Sequence, residues 1–136
     1  MMLKYGLCQK KNGKFIVMKE VTFIVEQGKP DMQGDILKPS ALKGLPKEVK
    51  IFKDFDTSLP PVGSATLFHD TTSDTIKAKA TLDEALFDKC GALGFKIIEH
   101  INNEDGSITV TRADVYAVGL VEHNADTTIP PIKDQL

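Results

Sequence analysis

The chain has 136 residues, which fits one domain, with 41% hydrophobic and 26% charged residues, an ordinary balance for a protein that buries its own core. Its 17 basic and 19 acidic side chains are interspersed and give a net charge of −2, so no basic stripe marks a phosphate-binding surface and nucleic acid is not an expected partner. Two distant cysteines, Cys8 and Cys90, exclude a paired-cysteine zinc site, and no cofactor or metal is expected. There is no signal-peptide h-region and no apolar stretch of bilayer length, so a cytoplasmic protein with no membrane partner is expected.

In chain order, the lysines Lys10, Lys11 and Lys14 surround Asn12-Gly13 and read as a solvated turn. Lys14 to Glu26 carries two β-branched and aromatic runs separated at Lys19-Glu20. Gln27 to Pro39 is a polar loop, followed by a short helix from Pro39 that ends near Gly44. Val49 to Lys53 reads as a strand, and Pro60-Pro61 as a loop or sheet edge that cannot donate to a ladder.

Val62 to His69 and Thr75 to Leu82 read as a hairpin turning at Thr71 to Asp74. Ile76, Ala78, Ala80 and Leu82 alternate with Lys77, Lys79 and Thr81, so one face should be buried and one wet. Asp83 to Leu93 reads as a helix with Asp83 as N-cap and Leu86, Phe87, Cys90 and Leu93 on one face, ended by Gly94. Phe95 to Ile101 and Ile108 to Glu122 then form a second hairpin, with a bulge or bend expected at Gly119. Residues 124–136, with Pro130-Pro131, read as an extended tail on a single domain spanning 1–136. The expected class is α+β: a mainly antiparallel, barrel-like sheet of about seven strands with two helices.

The chemistry-bearing residues are sparse. Asp31, Asp35, Asp54, Asp56 and Asp70 lie on separate loops without calcium-loop spacing and read as solvated carboxylates. His69, His100 and His123 each fall near a strand end. Ser64 and His69 are five apart on one expected strand, which points them to opposite faces and makes them a poor nucleophile–base couple. Cys90 reads as a buried small hydrophobe. No phosphate loop, dinucleotide fingerprint or zinc-protease helix is present.

Four segments, in order, resemble the prohead (capsid maturation) serine proteases of tailed phages. They are Pro30 to Leu42 with its Asp-x-x-Gly-Asp stretch, Val49 to Asp56 followed by Pro60 to Phe68, Asp88 to Ile97, and Ala113 to Asp126. The resemblance covers about residues 20 to 128 and implies a prohead- or herpesvirus-protease-like fold. It places the family's base histidine on Phe55, its nucleophilic serine on Ala92, and the acid and serine of the closing strand on Ala117 and Gly119. Neither phenylalanine nor alanine can attack a carbonyl or accept a proton from the attacking hydroxyl. The Gly34-Asp35 loop, the Pro61-x-Gly63 turn, Gly94-Phe95 and Leu120-Val121 are kept.

The resemblance therefore implies a pseudoprotease: an auxiliary or decoration protein of a phage or prophage head, present in the virion head and in the host cytoplasm during assembly. Its partner would be the major capsid protein or another head protein, with self-association left open. The alternative is an active maturation protease with a relocated site, using His69 or His123 with Ser64, or Cys90.

Overall fold

The computed structural model describes residues 7–11 and 14–136; Asn12-Gly13, expected as a turn, lie outside the described residues. Eight strands form one mixed, curled sheet: β1 (Leu7–Lys11), β2 (Lys14–Glu26), β3 (Ile36–Leu37), β4 (Lys47–Lys53), β5 (Gly63–Asp70), β6 (Thr75–Asp83), β7 (Cys90–Asn102) and β8 (Ile108–Val121). The strand order is β1-β2-β6-β5-β4-β8-β3, with β7 on the other side of β8. β3 and β4 run parallel to β8, and the other ladders are antiparallel.

The expectation of an α+β fold with two helices is overturned. The described chain is mostly β and contains no helix of seven or more residues. At the first expected helix only Pro39–Ala41 forms a 3-10 turn, after which Leu42 bridges to Ala113 of β8. At the second, Asp83 does cap, accepting from the Ala85 N–H, but the turn stops after Glu84–Leu86.

The chain then enters β7 at Cys90. Its glycines explain why: a Cβ on Gly91 would stand 2.5 Å from Phe23 Cε2, and one on Gly94 would stand 2.9 Å from Tyr116 Cε2. These glycines are places where other side chains lie directly on a strand. A short apolar run of this length fits either period, and the helical reading of it was the wrong one.

Elsewhere the periodicities hold. On β6, Ile76, Ala78, Ala80 and Leu82 are buried and Lys79 and Thr81 exposed. β2 runs unbroken through Lys19-Glu20; what changes there is its partner, since Met18 pairs with Leu7 of β1 and with Asp83 of β6. The largest fully buried side chains are Phe23, Ile51, Leu67, Ile76, Leu82, Leu120, Ile132 and Val118, inside the curl of the sheet.

β8 bulges at Tyr116, and its register slips again at Thr111, but not at Gly119. Gly94 pairs with Ala117 and Phe95 with Val115, leaving Tyr116 unpaired. One extra residue reverses the alternation. Ala113 and Val115 face the core before the bulge, Val118 and Leu120 after it, and Ala117 and Gly119 turn to the outer face. The Val115 carbonyl at this bulge accepts a hydrogen bond from Lys47 Nζ at 2.8 Å.

Residues 124–136, expected as an extended tail, fold back onto the sheet. Ile129 and Ile132 are buried, the Ile132 N–H donates to the Lys89 carbonyl, and Gln135 Oε1 accepts from the Ile24 N–H of β2. This segment sits where β2 and β7 approach each other. Phe23 and Val25 of β2 touch Gly91 of β7, but no ladder joins the two strands, so the curl does not close by hydrogen bonds.

Candidate functional site

β4 ends at Lys53, and the next two residues, Asp54 and Phe55, both adopt positive φ, 53° and 55°. A bulky residue in this region is strained by about 1–2 kcal/mol, which something must offset. The Asp54 N–H donates to the Leu120 carbonyl, extending the parallel β4–β8 ladder by one bond. This kink lays the Phe55 ring flat against β8. A Cβ on Gly119 would stand 2.3 Å from Phe55 Cε2, and one on Gly94 would stand 3.1 Å from Phe55 Cε1.

In the antiparallel β7–β8 ladder, Gly119 is opposite Ala92 and Ala117 opposite Gly94, so these four share one face. Phe55, Ala92 and the Ala117–Gly119 pair, from three separate stretches of the sequence, thus meet on the outer face of the sheet. These four residues offer no hydroxyl, thiol, imidazole or carboxylate, and a hydroxyl against the same face comes from the exposed Tyr116, beside Gly94.

The remaining candidates do not assemble. Ser64 lies at the start of β5, where its Oγ accepts from Lys50 Nζ at 3.2 Å. His69 is near the other end of β5, about 16 Å along the strand, and its Nε2 is 2.7 Å from Asp74 Oδ1 beside the hairpin turn. Cys90 is buried, with Sγ 3.8 Å from the carbonyls of Glu122 and Ile129, and burial pushes its thiol pKa up, away from the reactive thiolate. His100 is exposed on β7. Only His123 lies near the cluster: it lines a cavity of about 290 Å³ together with Phe55 and Ala92.

Phe95 and Ile97 of β7 and Ile108 and Val110 of β8 supply an apolar wall of this cavity. The lining also includes Glu26, at the end of β2, the loop carboxylates Asp31, Asp35 and Asp126, and the cation Lys29.

The loop acids do structural work. Asp31 Oδ1 accepts from the Gln33 and Asp35 N–H groups at 2.9 Å, and Asp35 Oδ1 accepts from the Ile108 N–H at 2.9 Å, docking the loop on β8. Asp126 Oδ1 accepts from the Thr128 N–H at 3.0 Å, and its Oδ2 from Gln27 Nε2 at 3.1 Å. Asp56 and Asp70 likewise cap their own turns, at the Ser58 and Thr72 N–H groups. Hydrogen bonds from Ser58 hold Asp56 below the usual carboxylate range, and the Lys77 ammonium does the same for Asp70. No group of three or more His, Cys, Asp or Glu side chains among the described residues could hold a metal ion.

Glu26 is the residue that sequence reasoning missed. Burial raises its pKa to about 7, against the lowering effect of the Gly28 and Gln27 N–H groups that donate to Oε2 at 2.9 Å; Asp126 and Asp31 push it further up. Nothing local distinguishes it from other strand-end glutamates; its burial comes from the docked loop and the returning C-terminal segment.

No protein-family model matches the chain, and comparison with curated proteins and with solved structures finds no significant match. No helix among the described residues is long and apolar enough to cross a membrane.

Proposed function

We propose that this chain is a non-catalytic structural protein of a tailed-phage or prophage head, an auxiliary or decoration component, in which apolar packing occupies the place of a protease site. The reading is carried by the meeting of Phe55, Ala92, Ala117 and Gly119. The sequence resemblance assigns these positions to base, nucleophile and closing-strand residues; Ala117 and Gly119 share a face simply as alternate residues of one strand, but an accidental alignment gives no reason for Phe55 and Ala92 to join them there. The reading rests on that cluster and on the four ordered segments, not on an α+β fold.

Its chemistry follows from the side chains. A hydrolytic site needs a nucleophile beside a base. Phe55 instead puts an aromatic ring over Gly119 and Gly94, where a reacting carbonyl would have to enter. The dispersed Ser64, His69 and Cys90 support no relocated couple. What remains is a rigid sheet whose surfaces serve contact.

The test is to mix the purified chain with the shell proteins of tailed phages, following association by sedimentation and covalent change by intact mass. Co-sedimentation with every mass unchanged, and no labelling of the chain by a fluorophosphonate, is the expected result. Defined cleavage that is lost in a Ser64→Ala, His69→Ala, His123→Ala or Cys90→Ala variant would sink the reading.

A further inference from the structure

We propose that the free edge of β7 and the cavity beneath it receive an extended segment of a partner protein, which adds to the sheet as a strand and places a lysine or arginine side chain in the cavity. The proposal rests on reading this cavity as a binding site and not a catalytic one.

The backbone is the first reason. β7 pairs only with β8, so from Phe95 to Asn102 its other edge has no ladder partner among the described residues. Lys96 to Asn102 is exposed at every position, and Ile97, Ile98 and Ile101 are 42%, 40% and 56% exposed. Exposed edges are usually blunted with proline, charge or bulges, and β7 carries one of these devices, a bulge at Ile98, which leaves Phe95 to Ile97 as its regular stretch. Here the charges are matched within the hairpin: Lys96 is opposite Asp114, and Glu99 opposite Arg112 with 3.7 Å between carboxylate and guanidinium. No net charge is left on this stretch to repel an incoming strand.

The cavity is the second reason, and it selects the side chain. Phe95 and Ile97, opposite the buried Val115 and Ala113, face the inner side and line the cavity, which Phe55 and Ala92 of the outer face also line. A strand added to this edge alternates in the same way and would send every second side chain into the same space. The lining also holds four carboxylates, Glu26, Asp31, Asp35 and Asp126, against Lys29 and His123, and of the four Glu26 is the one not spent on docking a loop. A long aliphatic stem ending in a cation matches both parts of this lining, its methylenes on Phe95 and Ile97 and its charge at Glu26. Both described hydrogen bonds to Glu26 go to Oε2, leaving Oε1 with no described partner.

A second copy of this chain fits less well. Two β7 edges related by a two-fold axis normal to the sheet keep Lys96 on the outer face of both. Each cavity would then receive Phe95 and Ile97 of the neighbour, and from the inner face His100, opposite the buried Val110, but no long aliphatic cation.

The experiment uses fluorescein-labelled decapeptides of alternating threonine and valine with lysine, norleucine or glutamate at one central position. Fluorescence anisotropy against the full chain gives affinities, backbone amide NMR gives the site, and sedimentation of the chain alone gives its oligomeric state. The lysine peptide should bind about tenfold tighter than the norleucine peptide, the worth of one buried charge-assisted contact, and the glutamate peptide weakest.

Glu26→Gln should remove the lysine advantage and leave the norleucine peptide unchanged. Ile98→Pro, at the unpaired bulge residue of an edge strand where proline is tolerated, should weaken all three peptides alike. Equal binding of lysine and norleucine peptides, amide shifts away from β7, or no binding at all would overturn the proposal. Dimerisation of the chain through β7 would overturn it in favour of the second copy. Cleavage of a bound peptide, read by mass, would instead sink the non-catalytic reading.

Discussion

β7 is one strand with one ladder partner, yet its two halves share almost nothing else. From Cys90 to Gly94 both faces are covered: Phe23 and Val25 lie against Gly91 on the inner side, and Phe55 and Tyr116 lie against Gly94 on the outer side. From Lys96 to Asn102 every residue is exposed. The composition follows the covering. Where aromatic rings rest on both faces, the strand is built from cysteine, glycine, alanine, leucine and glycine; where nothing rests on it, isoleucines and charges appear. Ladder hydrogen bonds alone therefore do not define an environment, and the contrast can be broken by substitutions in each half.

The largest expected effect is at Gly91. Gly91→Ala puts a methyl group 2.5 Å from Phe23, one of the most deeply buried side chains, with Val25 also close at 3.0 Å. Phe23 cannot leave without opening the core. A loss of about 3 kcal/mol, the upper end for overpacking, is expected in urea unfolding. A loss under about 1 kcal/mol would mean that the covered half of β7 is looser than its contacts imply.

These same glycines mark what could be read from sequence and what could not. The β5–β6 hairpin and the long β8 strand are local patterns, and they were legible because period two needs no knowledge of distant partners. The Asp83–Leu93 helix was misread because Gly91 and Gly94 answer to Phe23 and Phe55, which are remote in sequence. Gly119 was expected to bulge, but it is glycine because Phe55 lies on it; β8 bulges instead at Tyr116, which carries no turn signal. The clustering of Phe55 with Ala92 depends on the parallel β4–β8 pairing, which no local pattern encodes. The cavity was invisible for the same reason, since Glu26 is an ordinary strand-end acid until the 27–35 loop and the C-terminal segment close over it.

The next largest effect lies under the open half of β7 and depends on pH. The carboxyl of Glu26 ionises near 7 in the folded chain, against an ordinary value of 4.5. Between these values the folded state holds the extra proton, so this group's contribution to stability is complete below about pH 4.5 and is lost as pH rises through 7. Glutamine keeps the acceptor for the Gln27 and Gly28 N–H groups and cannot ionise. Glu26→Gln should match the wild type at pH 4 and exceed it by about 2 kcal/mol at pH 8, a figure discounted for the partial exposure of the side chain. A constant difference across this range in thermal unfolding would show that Glu26 is not desolvated.

Gly119→Ala should cost less than Gly91→Ala, about 1 kcal/mol, although its clash is closer at 2.3 Å. Phe55 is only half-buried and follows an exposed Asp54, so its ring can swing outward. Doing so would also relieve its positive φ. Loss of the Phe55 ring's contacts to β8 in proton NMR should accompany the change. A cost equal to that of Gly91→Ala would mean that the outer face is packed as rigidly as the core.

The smallest effect is the sharpest test of the open half. Ile98→Thr with Ile101→Thr keeps two β-branched residues, and so keeps strand propensity, while removing apolar surface that is 40% and 56% exposed. An exposed site away from packing tolerates such changes within about 0.5 kcal/mol, and no more is expected in dilute solution. If the double variant instead loses well over 1 kcal/mol, these isoleucines are covered in solution. Protein concentration then separates the causes: a loss that grows with concentration means that a second copy covers the wild-type edge, because association stabilises only the associated state. A loss independent of concentration means that the chain itself covers it. Stability that stays level in the variant, with peptide binding lowered, leaves the edge open and its isoleucines in the service of a partner.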